Sequence, residues 1–208
     1  MKTDRFLKKI VFLAMVIAWT VSGCRSATAP VTFYTLSAIP ESAGEKPNTA
    51  VRQDMVIAVG PARFPGFLDR PQIVTRPEAN RLSISEFHRW GGDLDQDFLN
   101  VLAENLSIRL STPRVVVYPW KDPANPDYRV SLEVHQFEGR IGDSVLLNVT
   151  WTLRGRPDDA EPFIVRRSII RKPASGAGYD ALVAAQSQAL ADLSGEIADA
   201  IMTLSKRK

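Results

Sequence analysis

The sequence predicts an α+β domain, a mixed α/β two-layer arrangement in which a mixed or antiparallel sheet is covered by two main helices. Three observations predict it. Short runs rich in β-branched and aromatic residues recur, several with a period of two. Two longer stretches, one central and one near the end of the chain, switch to helical spacing. The order is strands, helix, strands, helix, which two layers around one core accommodate directly.

The first segment is set aside before any fold is read. Lys2, Arg5, Lys8 and Lys9 form a positive start, and Ile10 to Val21 is almost wholly apolar. About 12 apolar residues are too few for a membrane span, which needs roughly 17–25. Val21-Ser22-Gly23-Cys24 follows and resembles the lipobox of bacterial lipoproteins: an aliphatic residue, two small residues, then Cys. Small side chains let a peptidase hold the extended backbone, and the thiolate of Cys24 is the nucleophile that accepts diacylglycerol. The expected organisation is a lipoprotein signal peptide over 1–23, a short lipidated tether over 24–30, and a single periplasmic domain over 31–208. No cofactor is expected beyond the covalent diacylglycerol and N-acyl chain on Cys24. With one Cys in the chain there is no disulfide framework.

The signal also changes the reading of charge. Of 26 Lys and Arg, four lie before residue 24, and of 23 Asp and Glu, only Asp4 does, so the remaining chain carries 22 of each. The high isoelectric point therefore belongs to the signal and gives no reason to expect a nucleic-acid partner.

The elements follow in order. Val31-Thr32-Phe33-Tyr34-Thr35-Leu36 reads as a strand. The six residues from Arg25 to Pro30 reach only about 20 Å when extended, so a lipid on Cys24 holds the domain close to a bilayer. Glu41 to Asn48 is a polar loop. Met55 to Val59 is continuously apolar, which favours a central strand buried on both faces, ended by Gly60-Pro61. Gln72 to Arg76 is a further strand, and Leu82, Ile84 and Glu86 continue after a turn at Glu78-Ala79-Asn80. Asp93 is placed to cap a helix whose apolar face runs through Leu94, Phe98, Val101, Leu102, Leu106 and Leu110. Ser111-Thr112-Pro113 stops it, and Val115 to Tyr118 is expected as another buried strand. Alternating runs from Tyr128, from Val145 and from Phe163, separated by Gly142-Asp143 and Arg156-Pro157-Asp158-Asp159, predict an antiparallel meander. Leu182, Gln186, Ala189, Leu190, Leu193, Ile197, Ile201 and Leu204 trace one stripe of an Ala-rich final helix.

Three segments together resemble one family. Phe33-Tyr34-Thr35-Leu36 resembles its opening strand, Phe67 to Arg76 (Phe-Leu-Asp-Arg-Pro-Gln-Ile-Val-Thr-Arg) its most recognisable stretch, and His88-Arg89-Trp90 before the central helix its third hallmark. The chain is similar to the ABC-type transport auxiliary lipoproteins, the PqiC/YmbA group. One departure is Gly91-Gly92-Asp93, where a bulkier helix start is the family pattern. The resemblance implies a non-catalytic lipoprotein beside an MCE-domain protein that moves lipids between the membranes of Gram-negative bacteria. It implies attachment to the inner leaflet of the outer membrane, on the periplasmic face, as a dock for the MCE protein. It also implies a homo-oligomer, possibly a ring. Arg25, rather than an inner-membrane-retaining Asp, follows Cys24 and agrees with outer-membrane sorting.

Other chemistry finds little footing. The lone Cys is consumed by lipid, and His88 and His135 stand far apart, so no metal site is expected. There is no Gly-x-Ser-x-Gly elbow, and Asp93, Asp95 and Asp97 are accounted for by a helix start, so no catalytic residue is assigned and no enzyme is expected. Leu68, Asp69 and Arg70 are candidate partner contacts, although a turn fixed by Asp69 and Arg70 explains them too. Trp90 is a candidate interface anchor or a helix-start staple. The small residues of the last helix admit a neighbouring subunit or close packing on the sheet. Two rivals to the dock are a periplasmic carrier of lipid or small ligand, which requires a closed apolar cavity of about 300–1,000 Å³, and a scaffold for another envelope complex.

Overall fold

The computed structural model describes residues 29–41, 54–120, 125–156 and 164–206. The expected signal peptide and Cys24 lie outside the described residues, as do most of the polar loop after Glu41 and of the turn after Arg156. The described residues form eight strands and two helices in the order β1 (Thr32–Tyr34), β2 (Ile57–Arg63), β3 (Gln72–Glu78), β4 (Arg81–Trp90), α1 (Leu94–Leu110), β5 (Val115–Val117), β6 (Tyr128–Gly139), β7 (Ser144–Arg154), β8 (Ile164–Pro173) and α2 (Tyr179–Ser205). The α+β class is the one expected. The strands divide between two mixed sheets, a five-stranded one ordered β5-β2-β6-β7-β8 and a three-stranded one ordered β1-β4-β3.

The apolar run Met55–Val59 reads correctly as central: β2 lies between β5 and β6, parallel to both. It does not end at Gly60. The strand continues to Arg63 with a register shift between Val59 and Ala62. Gly60 sits at φ +110°, and a Cβ there would stand 2.6 Å from the Tyr118 Cβ, so this position needs glycine on both counts. Val115–Val117, expected as a buried strand, is a half-buried edge paired only with β2, because three residues at the rim have helix α1 on one face alone.

The meander β6-β7-β8 is antiparallel throughout. Val130, Leu132, Val134, Val145, Leu147, Val149, Trp151 and Leu153 point inward and are buried. A bulge between Val134 and Gln136 breaks the strict alternation and turns Phe137 into the core in place of Gln136. Buried Gln186 of α2 donates from Nε2 to the Phe137 carbonyl at 2.7 Å, which satisfies the backbone at the bulge. At the strand end a Cβ on Gly139 would run into the Ser144 carbonyl and Val145, so the β6–β7 turn closes only around glycine.

Both helices cover the inner face of the large sheet, α1 over β2 and β5, α2 over β6, β7 and β8, and they pack on one another. Every residue of the expected α2 stripe is buried. Phe64, Phe98 and Phe137 meet edge to face at 5.2–6.5 Å between ring centres, the arrangement favoured by aromatic quadrupoles. Trp151 Nε1 donates to Ser168 Oγ at 2.9 Å, and Ser168 donates in turn to Glu196 of α2, so the indole is buried without an orphaned donor. Among the described residues no helix is long and apolar enough to cross a membrane.

Candidate functional site

The chain emerging from the expected tether is fixed at once. β1 runs parallel to the end of β4, with Thr32 opposite His88, Phe33 opposite Arg89 and Tyr34 opposite Trp90. Past the strand, the Leu36 amide donates to Asp97 Oδ2 at 2.8 Å and Thr35 Oγ1 lies 3.1 Å from both Asp97 oxygens. Ser37 N donates to Ser187 Oγ at 3.1 Å and Ile39 N to Asn105 Oδ1 at 2.8 Å. Residues 31–39 are thus tied to one sheet and both helices. The sequence explained Asp97 by the helix dipole; in the fold it receives the incoming strand. Asp93, expected to cap α1, stands at the N-cap in an extended conformation without a side-chain cap bond.

On the inner side of this corner His88 stacks on Tyr179 at 3.9 Å, with Tyr34 5.9 Å from His88 and 6.3 Å from Tyr179. Burial pushes the Tyr34 phenol above its usual pKa range, and the Asp180 carboxylate and Tyr179 push in the same direction.

The structure brings Leu68, Asp69, Arg70 and Trp90 to one place. Leu68 N donates to Pro65 O at 2.8 Å, Arg70 N to Leu68 O at 2.9 Å and Trp90 N to Pro71 O at 2.7 Å, so the loop is held against the end of β4. Leu68, Asp69 and Arg70 line a cleft of about 360 Å³ with Asp93 and Asp95 at the start of α1. The four residues do not offer themselves equally. Leu68 and Trp90 are only 4% and 5% exposed and belong to the core, whereas Asp69 is exposed and Arg70 half-buried. At this corner Asp69 and Arg70 are the accessible side chains, and Leu68 and Trp90 lie beneath them. Trp90 is the last residue of β4, and its burial agrees with inward packing of the ring.

Two surface features are not apparent from the sequence. Val31 and Phe33 are 42% and 64% exposed, on the outer side of the small sheet. The outer face of the large sheet aligns Arg129 opposite Arg154, Thr150 opposite Arg167 and Leu146 opposite Arg171, with Val165 and Ile169 exposed among them. Alternation gave which residues face outward, but cross-strand register decides which of them meet. Trp120, beside this face, lies 4.7 Å beneath the Arg129 guanidinium. Among the described residues no three His, Cys, Asp or Glu converge as a metal site would require.

The family model of the ABC-type transport auxiliary lipoprotein component matches residues 34–198, nearly the whole described fold. The chain belongs to that family. A comparison with curated proteins finds no match. Among solved structures, this auxiliary lipoprotein is similar to an uncharacterized protein at 22% identity and a TM-score of 0.67, covering 83% of this chain and 99% of that one. It is similar also to a Xanthomonas campestris protein of family DUF330, at 17% identity and a TM-score of 0.65, covering 85% and 98% of the two chains. These two share the fold of the auxiliary lipoprotein. A PelC dodecamer from Paraburkholderia phytofirmans aligns over 76% of this chain and 93% of its own at 14% identity, with a TM-score of 0.36.

Proposed function

We propose that this auxiliary lipoprotein is anchored through Cys24 to the inner leaflet of the outer membrane and serves as a non-catalytic docking subunit of an MCE-type intermembrane lipid transport system. The observation that carries the reading is the family match over residues 34–198, beginning ten residues after a lipobox Cys. The mechanism is positional. Acyl chains on Cys24 hold the chain at the bilayer, each buried methylene contributing about 0.8 kcal/mol, so that three chains attach it for practical purposes permanently. The immediate fixing of residues 31–39 then leaves little slack between lipid and domain. The Asp69–Arg70 corner presents a charged, loop-borne surface to the transporter subunit or to a second copy of the chain.

The described clefts favour a dock over a carrier. Each is open and carries charged side chains, such as Asp69, Arg70, Asp93 and Asp95 in one and Arg63, Arg129, Glu133 and Arg154 in another of about 440 Å³. A lipid carrier wants an enclosed, apolar wall.

The test is affinity capture from envelope extracts of the native host, with lipidated wild type and Cys24→Ala compared. Wild type is expected in the outer-membrane fraction, bringing an MCE-domain protein with it, and Cys24→Ala is expected to fail to complement loss of the gene. Full complementation by a soluble Cys24→Ala protein, or stoichiometric lipid on the detergent-free monomer with no MCE protein captured, contradicts the proposal.

A further inference from the structure

We infer that the outer face of the three-stranded sheet, centred on Phe33, Val31 and Arg89, rests on the phospholipid surface that holds the Cys24 lipid. This deepens the proposed function and rests on it, since it takes Cys24 to be lipidated.

Phe33 and Val31 are placed as a water-facing surface does not favour. Phe33 is 64% exposed and Val31, two residues earlier on the same side of an extended chain, is 42% exposed. On the other side of the same strand Tyr34 packs into an aromatic cluster with His88 and Tyr179. Adjacent residues of a strand face opposite ways, and β1 places the ring with a polar hydroxyl inside while leaving the wholly apolar ring of Phe33 outside.

The neighbours of Phe33 fit a headgroup layer. The register places Phe33, Arg89 and Gln72 in one row across β1, β4 and β3. Arg89 is half-buried, with its Nε shielded and without a hydrogen-bond partner. A guanidinium beside an aromatic ring matches the two levels of a bilayer surface, apolar at the acyl boundary and anionic at the phosphates, where Arg forms bidentate bonds. Arg25 adds a second cation within the tether.

Chain length selects the occupant. Six residues separate Cys24 from Val31. At about 3.3–3.6 Å per residue the contour from lipidated Cys24 to Val31 is at most about 25 Å, and any slack brings Val31 closer. Exposed apolar residues at the end of so short a tether lie within reach of the bilayer whichever way the rest of the domain points. Ile169, similarly exposed at 66% on the large sheet, has no such connection.

The experiment uses lipidated full-length protein in vesicles of phosphatidylethanolamine and phosphatidylglycerol. Because lipid consumes the one native Cys, a Cys introduced as Phe33→Cys or Ile169→Cys is a unique thiol for a polarity-sensitive nitrobenzoxadiazole label. The label at 33 is expected to shift to the blue on vesicles and to lose most of its emission to a quencher carried on the phospholipids, while the label at 169 stays water-like. Two results overturn the inference: protein that floats with vesicles but carries a water-like label at 33, or an equal response at 169. Failure of the underlying anchor reading is distinguishable, because unlipidated protein does not float with vesicles and retains a reactive thiol at Cys24.

Discussion

Arg76 of β3 donates from Nε to Glu138 Oε1 of β6 at 2.6 Å, joining the small sheet to the large one through a carboxylate whose side chain is 1% exposed. Glu138 Oε2 also accepts the Phe137 amide at 3.0 Å, so one buried group serves the β6 bulge and the contact between sheets. Removing one partner of a buried pair leaves an uncompensated charge, at a cost of about 3–5 kcal/mol in full burial. Arg76 is partly exposed, so Arg76→Met is expected to cost less, about 2 kcal/mol. Urea denaturation of Arg76→Met, Glu138→Leu and the double variant checks this: the double variant should recover much of the Glu138→Leu loss. Additive losses contradict the coupling.

Asp97 holds the chain that follows the tether. Asp97→Ala removes the acceptor of the Leu36 amide and of the Thr35 hydroxyl, and is expected to lower stability by about 1–3 kcal/mol. Asp97→Asn keeps an acceptor oxygen and should lose less. Hydrogen exchange localises the effect, with the amides of Leu36, Ser37 and Ile39 exchanging faster in Asp97→Ala while those of β7 keep their protection.

The corner at Leu68–Arg70 separates support from contact. Trp90→Ala deletes a buried indole and is expected to cost about 3–5 kcal/mol. Exposed Asp69 is expected to change stability by no more than about 0.5 kcal/mol as Asp69→Lys, yet to weaken capture of the transport partner. Thermal melts beside affinity capture tell the two apart: a folded Asp69→Lys protein with full capture would remove this corner from the interface.

Tyr34 makes the stability of the domain depend on pH in the alkaline range. Its phenol is raised above the ordinary range, so in the folded state it holds its proton at pH values where an unfolded chain has lost it. The native state then binds more protons, and stability falls as pH rises from about 10 through the folded value; below about 10 both states are neutral and the contribution is intact. Tyr34→Phe is expected to flatten this part of the curve. Melting temperatures of both proteins across the alkaline range check it, and parallel curves contradict it.

How legible the chain was depended on the distance over which each feature is decided. The α2 stripe and the β6-β7-β8 meander were readable because period 3.6 and period 2 are written locally. β2 was readable as central because an apolar run such as Ile57-Ala58-Val59 is at home only under cover on both sides. The bulge that turns Phe137 inward was not, since nothing in Val-His-Gln-Phe states which residue is extra. The continuation of β2 past Gly60-Pro61 was hidden because those residue types ordinarily end a strand, and here they shift its register. At the candidate site, the sequence singled out Leu68–Arg70 and Trp90, and the fold gathers them. It left Trp90 open between an interface anchor and inward packing, a choice that the pairing of Tyr34 with Trp90 settles toward the core from 56 residues away. Phe33 escaped for the same reason: a strand of alternating Val, Thr, Phe and Tyr has two possible inner faces, and only its partner chooses between them.

The most direct test of the account is the intact mass of the natively expressed protein extracted from envelopes. The account predicts a chain that begins at Cys24 and carries the added mass of a diacylglyceryl group and an N-acyl chain. A chain beginning elsewhere, or beginning at Cys24 with an unmodified thiol, would contradict it.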